Sequence, residues 1–148
     1  MNPVATPNAR SAVIALLALC AVLQLPVAAH AEADFIKGVY LQSEALCAQA
    51  KKDTLQTVIE AGNTILTSRG IESIEYNCEF VTVTKATRSP AWLVNAICQA
   101  PDNLFPDVLS VTQMNDSQID IASVKPTDED SGGGNAGSYY RCDGVAAP

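Results

Sequence analysis

Imidazole is almost missing from this 148-residue chain, whose one histidine is His30. Basic side chains are scarce too, 9 Lys and Arg against 16 Asp and Glu, for a formal net charge of -7. A surface of that sign repels phosphate backbones, which argues against a nucleic-acid partner. Aromatic residues make up 5% of the chain, so most of them are needed for a core. No apolar run reaches the roughly 20 residues a membrane-spanning helix requires. Cys-x-x-Cys, Ser-x-x-Lys and Gly-x-Ser-x-Gly are all missing, which removes thioredoxin-like redox chemistry and the common serine nucleophile motifs.

The longest apolar run, Ser11 to Leu25, stops at Pro26 and is followed by Ala29-His30-Ala31. With Arg10 before it, this is the layout of an export signal, so residues 1–31 are expected to be a signal peptide cleaved after Ala31. The mature chain, 32–148, then has no histidine and no transmembrane segment. Ser-His-Asp and Cys-His triads and histidine-ligated zinc fall away with His30. The expected location is periplasmic or secreted.

Cys20 belongs to the signal, which leaves Cys47, Cys78, Cys98 and Cys142. An even number in an exported chain reads as two disulfides, and the wide spacings do not suit a zinc ribbon. The remaining sequence has a β texture: short Val, Ile, Thr and Tyr runs punctuated by Gly, Pro, Asn and Asp. Strands are predicted near Ile36–Gln42, Thr64–Thr67, Ile71–Thr84, Ala91–Gln99, Val108–Met114, Gln118–Val124 and Ser138–Cys142. Asp53-Thr54-Leu55-Gln56 has capping-box spacing, which allows one short helix before Gly62. The tract 126–137 reads as a flexible, acidic, Gly-rich loop.

A turn centred on Arg88 sets Cys78 opposite Cys98, Phe80 opposite Ala96 and Thr84 opposite Trp92. In the following hairpin a three-residue turn, Asn115-Asp116-Ser117, aligns Ile121 with Val111 and Ser123 with Leu109. A two-residue turn would mix apolar and polar faces. Seven up-and-down strands would leave Cys47 and Cys142 near one end, able to pair. An eighth strand would favour Cys47–Cys78 with Cys98–Cys142, and spacing alone leaves three connectivities open. The expected fold is mainly β: a small antiparallel up-and-down β-barrel or β-meander with two disulfides.

Gly38-Val39-Tyr40 and Tyr140-Arg141-Cys142 resemble the calycin pattern, in which a Gly-x-aromatic on the first strand packs against an arginine near the last. Tyr40 takes the place of the usual Trp. Together with Ile74-Glu75-Tyr76-Asn77-Cys78-Glu79-Phe80 and Trp92 before Cys98, the layout is similar to small uncharacterised exported proteins of proteobacteria. The resemblance implies a lipocalin-type barrel, with Tyr40, Tyr76, Trp92 and Arg141 as candidate ligand-binding residues.

Other constellations are weaker. Asp128-Glu129-Asp130 beside Gly132 and Gly133 fails the calcium-loop pattern and reads as a solvated loop. Glu72, Glu75 and Glu79 supply carboxylates without a cleft to set them in. No catalytic residue, cofactor or metal is expected. The sequence points to a non-enzymatic exported binding protein for a small apolar or amphipathic ligand. The alternative is an acidic envelope protein that meets a cationic protein partner, for instance as an inhibitor of a wall-degrading enzyme.

Overall fold

The computed structural model describes residues 35–125 and 135–148. The expected signal peptide and its cleavage site lie outside the described residues, as does 126–134 of the acidic loop. The chain order is β1 (Tyr40–Leu41), α1 (Glu44–Lys52), α2 (Leu55–Glu60), β2 (Ile65–Leu66) and β3 (Gly70–Ser73). It continues with β4 (Tyr76–Lys85), β5 (Ala91–Ala100), β6 (Asn103–Gln113), β7 (Gln118–Ser123) and β8 (Gly137–Arg141). Each strand pairs antiparallel with the next and β8 pairs back onto β1, closing a barrel.

The period of two builds the interior. Along β5, Trp92, Val94, Ala96 and Cys98 are buried, while Leu93, Asn95, Ile97 and Gln99 face out. Leu109 and Val111 of β6, Ile119 and Ile121 of β7 and Tyr139 of β8 complete the same core. Leu41 and Ile65 point the other way. They join Cys47, Ala50, Val58 and Cys142 in a second cluster under the two helices, so β1 and β2 are covered on both faces. A Cβ at Gly70 would run into the Cys78 carbonyl, so only glycine lets β3 lie this close to β4.

Several sequence expectations are corrected. The predicted strand Ile71–Thr84 is two strands, β3 and β4, joined at Ile74-Glu75, and the barrel has eight strands instead of seven. Only Tyr40–Leu41 of Ile36–Gln42 is strand. The short helix near Leu55 is present but capped by Thr54, whose side chain accepts from Thr57 N. Helix α1 was unforeseen. Ser43 caps it, Glu44 stands in its first turn and Lys51 and Lys52 in its last, the charge order that the helix dipole favours. Strand β6 starts five residues early and runs through Pro106, a position flanked by β5 alone because β7 begins pairing at Leu109.

The disulfides are Cys47–Cys142 and Cys78–Cys98. The second follows the predicted register, as does Phe80 opposite Ala96. Beyond that pair a bulge between Phe80 and Thr82 shifts the ladder, so Trp92 faces Lys85 and not Thr84. The expectation that an eighth strand favours Cys47–Cys78 with Cys98–Cys142 fails. Helix α1 folds back from the end of β1 and returns Cys47 beside Tyr140 and Cys142. The three-residue turn is as read: Ile121 faces Val111, Ser123 faces Leu109, and Asn115 Oδ1 accepts from Ser117 N at 2.9 Å. Among the described residues no helix is long and apolar enough to cross a membrane.

Candidate functional site

The strand register fixes two ends of the barrel. At one end Lys85 and Trp92 come together beside Gln113, Gln118, Tyr40 and Arg141, and we call it the mouth. At the other, the base, Tyr76 and Asn77 meet Gln99 and the β5–β6 turn.

A pocket of about 340 Å³ opens at the mouth. Phe35, Ile36, Tyr40, Trp92 and Ile119 give it an apolar floor, and Lys37, Lys85 and Arg141 bring three cations against the single carboxylate of Asp116. Phe35 belongs to no strand, yet it is buried and packs edge-on against Phe80 at 5.8 Å and Trp92 at 5.7 Å. Lys85 Nζ lies 5.8 Å from the centre of the Trp92 ring, within cation–π range. The Trp92 indole is only 5% exposed and its Nε1 has no hydrogen-bond acceptor among the described residues. Since buried donors are almost always paired, that orphan N–H marks the mouth as unusual.

Tyr40 and Arg141 face each other across β1 and β8. Burial raises the Tyr40 hydroxyl above its usual range, and the charge of Arg141 partly offsets this. Arg141 Nε donates to Asp143 Oδ1 at 2.8 Å, a contact that holds the guanidinium even more firmly protonated. Both groups of this pair are solvent-accessible, so the pair is cheap to exchange for another anion.

At the base a different arrangement surrounds the Cys78–Cys98 disulfide. Asp107 is buried and accepts from Val108 N, Ser123 Oγ and Asn135 Nδ2, each at 2.8 Å. Asn135 Nδ2 also lies 3.1 Å from Cys78 Sγ, and its Oδ1 accepts from Tyr76 Oη at 2.9 Å. Burial raises the Tyr76 hydroxyl, and the bond to Asn135 offsets part of that. The expectation of a flexible loop across 126–137 is therefore corrected at its end: Asn135 is buried and Gly137 begins β8. Tyr139, in the barrel centre, is pushed up to about 12 by burial.

Of the four residues singled out in the sequence, the structure brings Tyr40, Trp92 and Arg141 to one pocket and sends Tyr76 to the opposite end. Sequence reasoning missed Phe35, Ile36, Lys37, Lys85 and Ile119 at the mouth, and Asp107, Ser123 and Asn135 at the base. The register places Lys85 beside Trp92 only once the bulge is known. The three glutamates do not share one site: Glu72, paired with Arg69 at 3.6 Å, lines an open concavity with the exposed Glu79, while exposed Glu75 lines another. Among the described residues no cluster of His, Cys, Asp or Glu could hold a metal. No protein-family model, curated protein or solved structure matches the chain.

Proposed function

We propose that this is an exported binding protein, periplasmic or secreted, which holds a small amphipathic molecule at the mouth of its barrel. The observation that carries this reading is the mouth pocket itself, an aromatic floor under a cationic rim in a chain whose overall charge is negative. Its volume falls within the range of small-molecule sites. The apolar part of the ligand packs on Trp92 and Ile119, and an anionic group meets Lys37, Lys85 and Arg141. Tyr40 and Arg141 stand opposite each other across β1 and β8 at this end, so both are within reach of one ligand. The two disulfides suit an oxidising compartment.

The chain has one tryptophan, so its fluorescence reports on the pocket directly. Titration with decanoate should shift the Trp92 emission and saturate, with a dissociation constant about tenfold lower than that of decanol. Emission unchanged by decanoate, decanol and decylammonium alike would sink this reading. A second reading, an acidic protein that engages a cationic partner, draws on exposed Glu75 and Asp102 at the base. It predicts capture of a basic protein that weakens steeply with salt and survives Arg141→Gln.

A further inference from the structure

Phe35 is the resident of the pocket. Its ring makes the edge-on contacts with Phe80 and Trp92 that an aromatic guest would make, yet it comes from a segment held to the barrel by side-chain burial and by no backbone hydrogen bond among the described residues. Among the described residues, no backbone hydrogen bond involves Phe35, Ile36, Lys37 or Gly38, and the first tie is Cys142 N to Val39 O at 2.8 Å. Gly38 sits at φ +91 with open space around it, a backbone state that favours glycine and can serve as a pivot for the segment before it. A phenyl ring also carries no strong acceptor, so its packing on the Trp92 ring gives the unpartnered Nε1 of that indole nothing to bond.

We infer that Phe35 is a built-in competitor for the ligand site, and that the ligand is an aromatic anion whose ring replaces Phe35 and whose oxygen accepts from Trp92 Nε1. The inference rests on the binding reading above and adds to it the shape of the guest and the way it is admitted. Three properties of the site select that chemistry. The slot between Phe80 and Trp92 already holds a six-membered ring; the orphan donor calls for an oxygen acceptor; and Lys37, Lys85 and Arg141 favour negative charge on it. An aromatic cation would be repelled by Lys37, Lys85 and Arg141, which Asp116 and Asp143 offset only in part, and a neutral alcohol could satisfy the donor and not the rim.

The test compares the native protein with Phe35→Ala and Phe35→Leu, using phenylacetate, 2-phenylethanol and phenethylammonium as probes. Calorimetry reads affinity, and the single indole N–H resonance reads whether an acceptor reaches Trp92. Phenylacetate should bind Phe35→Ala about tenfold or more tightly than the native protein, because the competing ring is gone. It should bind ahead of both other probes and move the indole resonance downfield. Phe35→Leu, which keeps the segment apolar, should fall between the two and covers the case in which the alanine variant does not fold. Equal or weaker binding by the variants would make Phe35 a wall of the site and overturn the inference, while native binding of decanoate would still stand. Tighter binding of the alcohol or the ammonium would overturn the assigned ligand class. Silence of all probes in every variant, together with no response to decanoate, would remove the binding reading itself.

Discussion

The two ends of this barrel bury polar groups on opposite terms. At the base, the carboxylate of Asp107, the amide of Asn135 and the hydroxyls of Ser123 and Tyr76 all find partners within the chain, and the network rests on a disulfide. At the mouth, one indole N–H has no acceptor among the described residues, and three cations gather around an aromatic floor with the carboxylates of Asp116 and Asp143 among them. A closed network has nothing left to offer a ligand, so its work is to hold Asn135 and the start of β8 in place. An incomplete one has capacity to spare. The comparison separates stability from recognition along a single barrel axis.

The contrast breaks first at the base. Asp107→Ala should remove the acceptor of three donors and leave the buried Asn135 amide short of its partner, costing about 3–5 kcal/mol in denaturant unfolding. Loss of less than about 1 kcal/mol would show that the network is ornamental to the fold. Next comes the barrel centre. The Tyr139 hydroxyl ionises at about 12 in the folded state against 10 in the open chain, so the folded state holds its proton longer. Its stabilising share is complete below pH 10 and is lost as the pH rises from 10 through 12, about 2–3 kcal/mol in all. Unfolding curves across that window should fall for the native protein and flatten in Tyr139→Phe.

The smallest effect sharpens the comparison most. Tyr76→Phe deletes a donor that Asn135 Oδ1 uses and should cost about 1–2 kcal/mol. Trp92→Phe deletes a donor that nothing uses and should cost no more than about 1 kcal/mol, mostly through lost volume. Reversal of that order in thermal or denaturant unfolding would mean that the mouth is as finished as the base.

Much of the barrel was legible because its long strands alternate strictly and their turns are short. The Cys78–Cys98 pairing followed from a turn centred on Arg88, and the Asn115-Asp116-Ser117 turn from matching apolar faces. The β3–β4 turn stayed hidden because Ile74-Glu75 reverses the chain with no left-handed residue, and hence without the Gly or Asn signal of a tight hairpin. The bulge beside Val81 left no mark in composition, and it displaced Lys85 and Trp92 from their predicted partners. Helix α1 could have been found from Ser43, Glu44, Lys51 and Lys52, which mark its two ends. Three of four candidate site residues meet at the mouth because β1, β5 and β8 reach the same rim. Phe35 and Lys37 escaped notice because a segment outside the sheet has no period to betray it.

Closure of the barrel also decides how this protein can meet another chain. Strands hydrogen-bonded on both flanks have no spare backbone template to lend, so partners cannot be recruited by strand addition along most of the ring. Among the described residues, Val81–Lys85 of β4 outruns β3 and Asn103–Asp107 of β6 outruns β7, and of these two stretches only the second carries a proline, Pro106, which has no N–H to donate. Contacts with other molecules therefore fall to side chains around most of the ring, and edge-to-edge growth is confined to the open flank of β4, where Val81 is exposed.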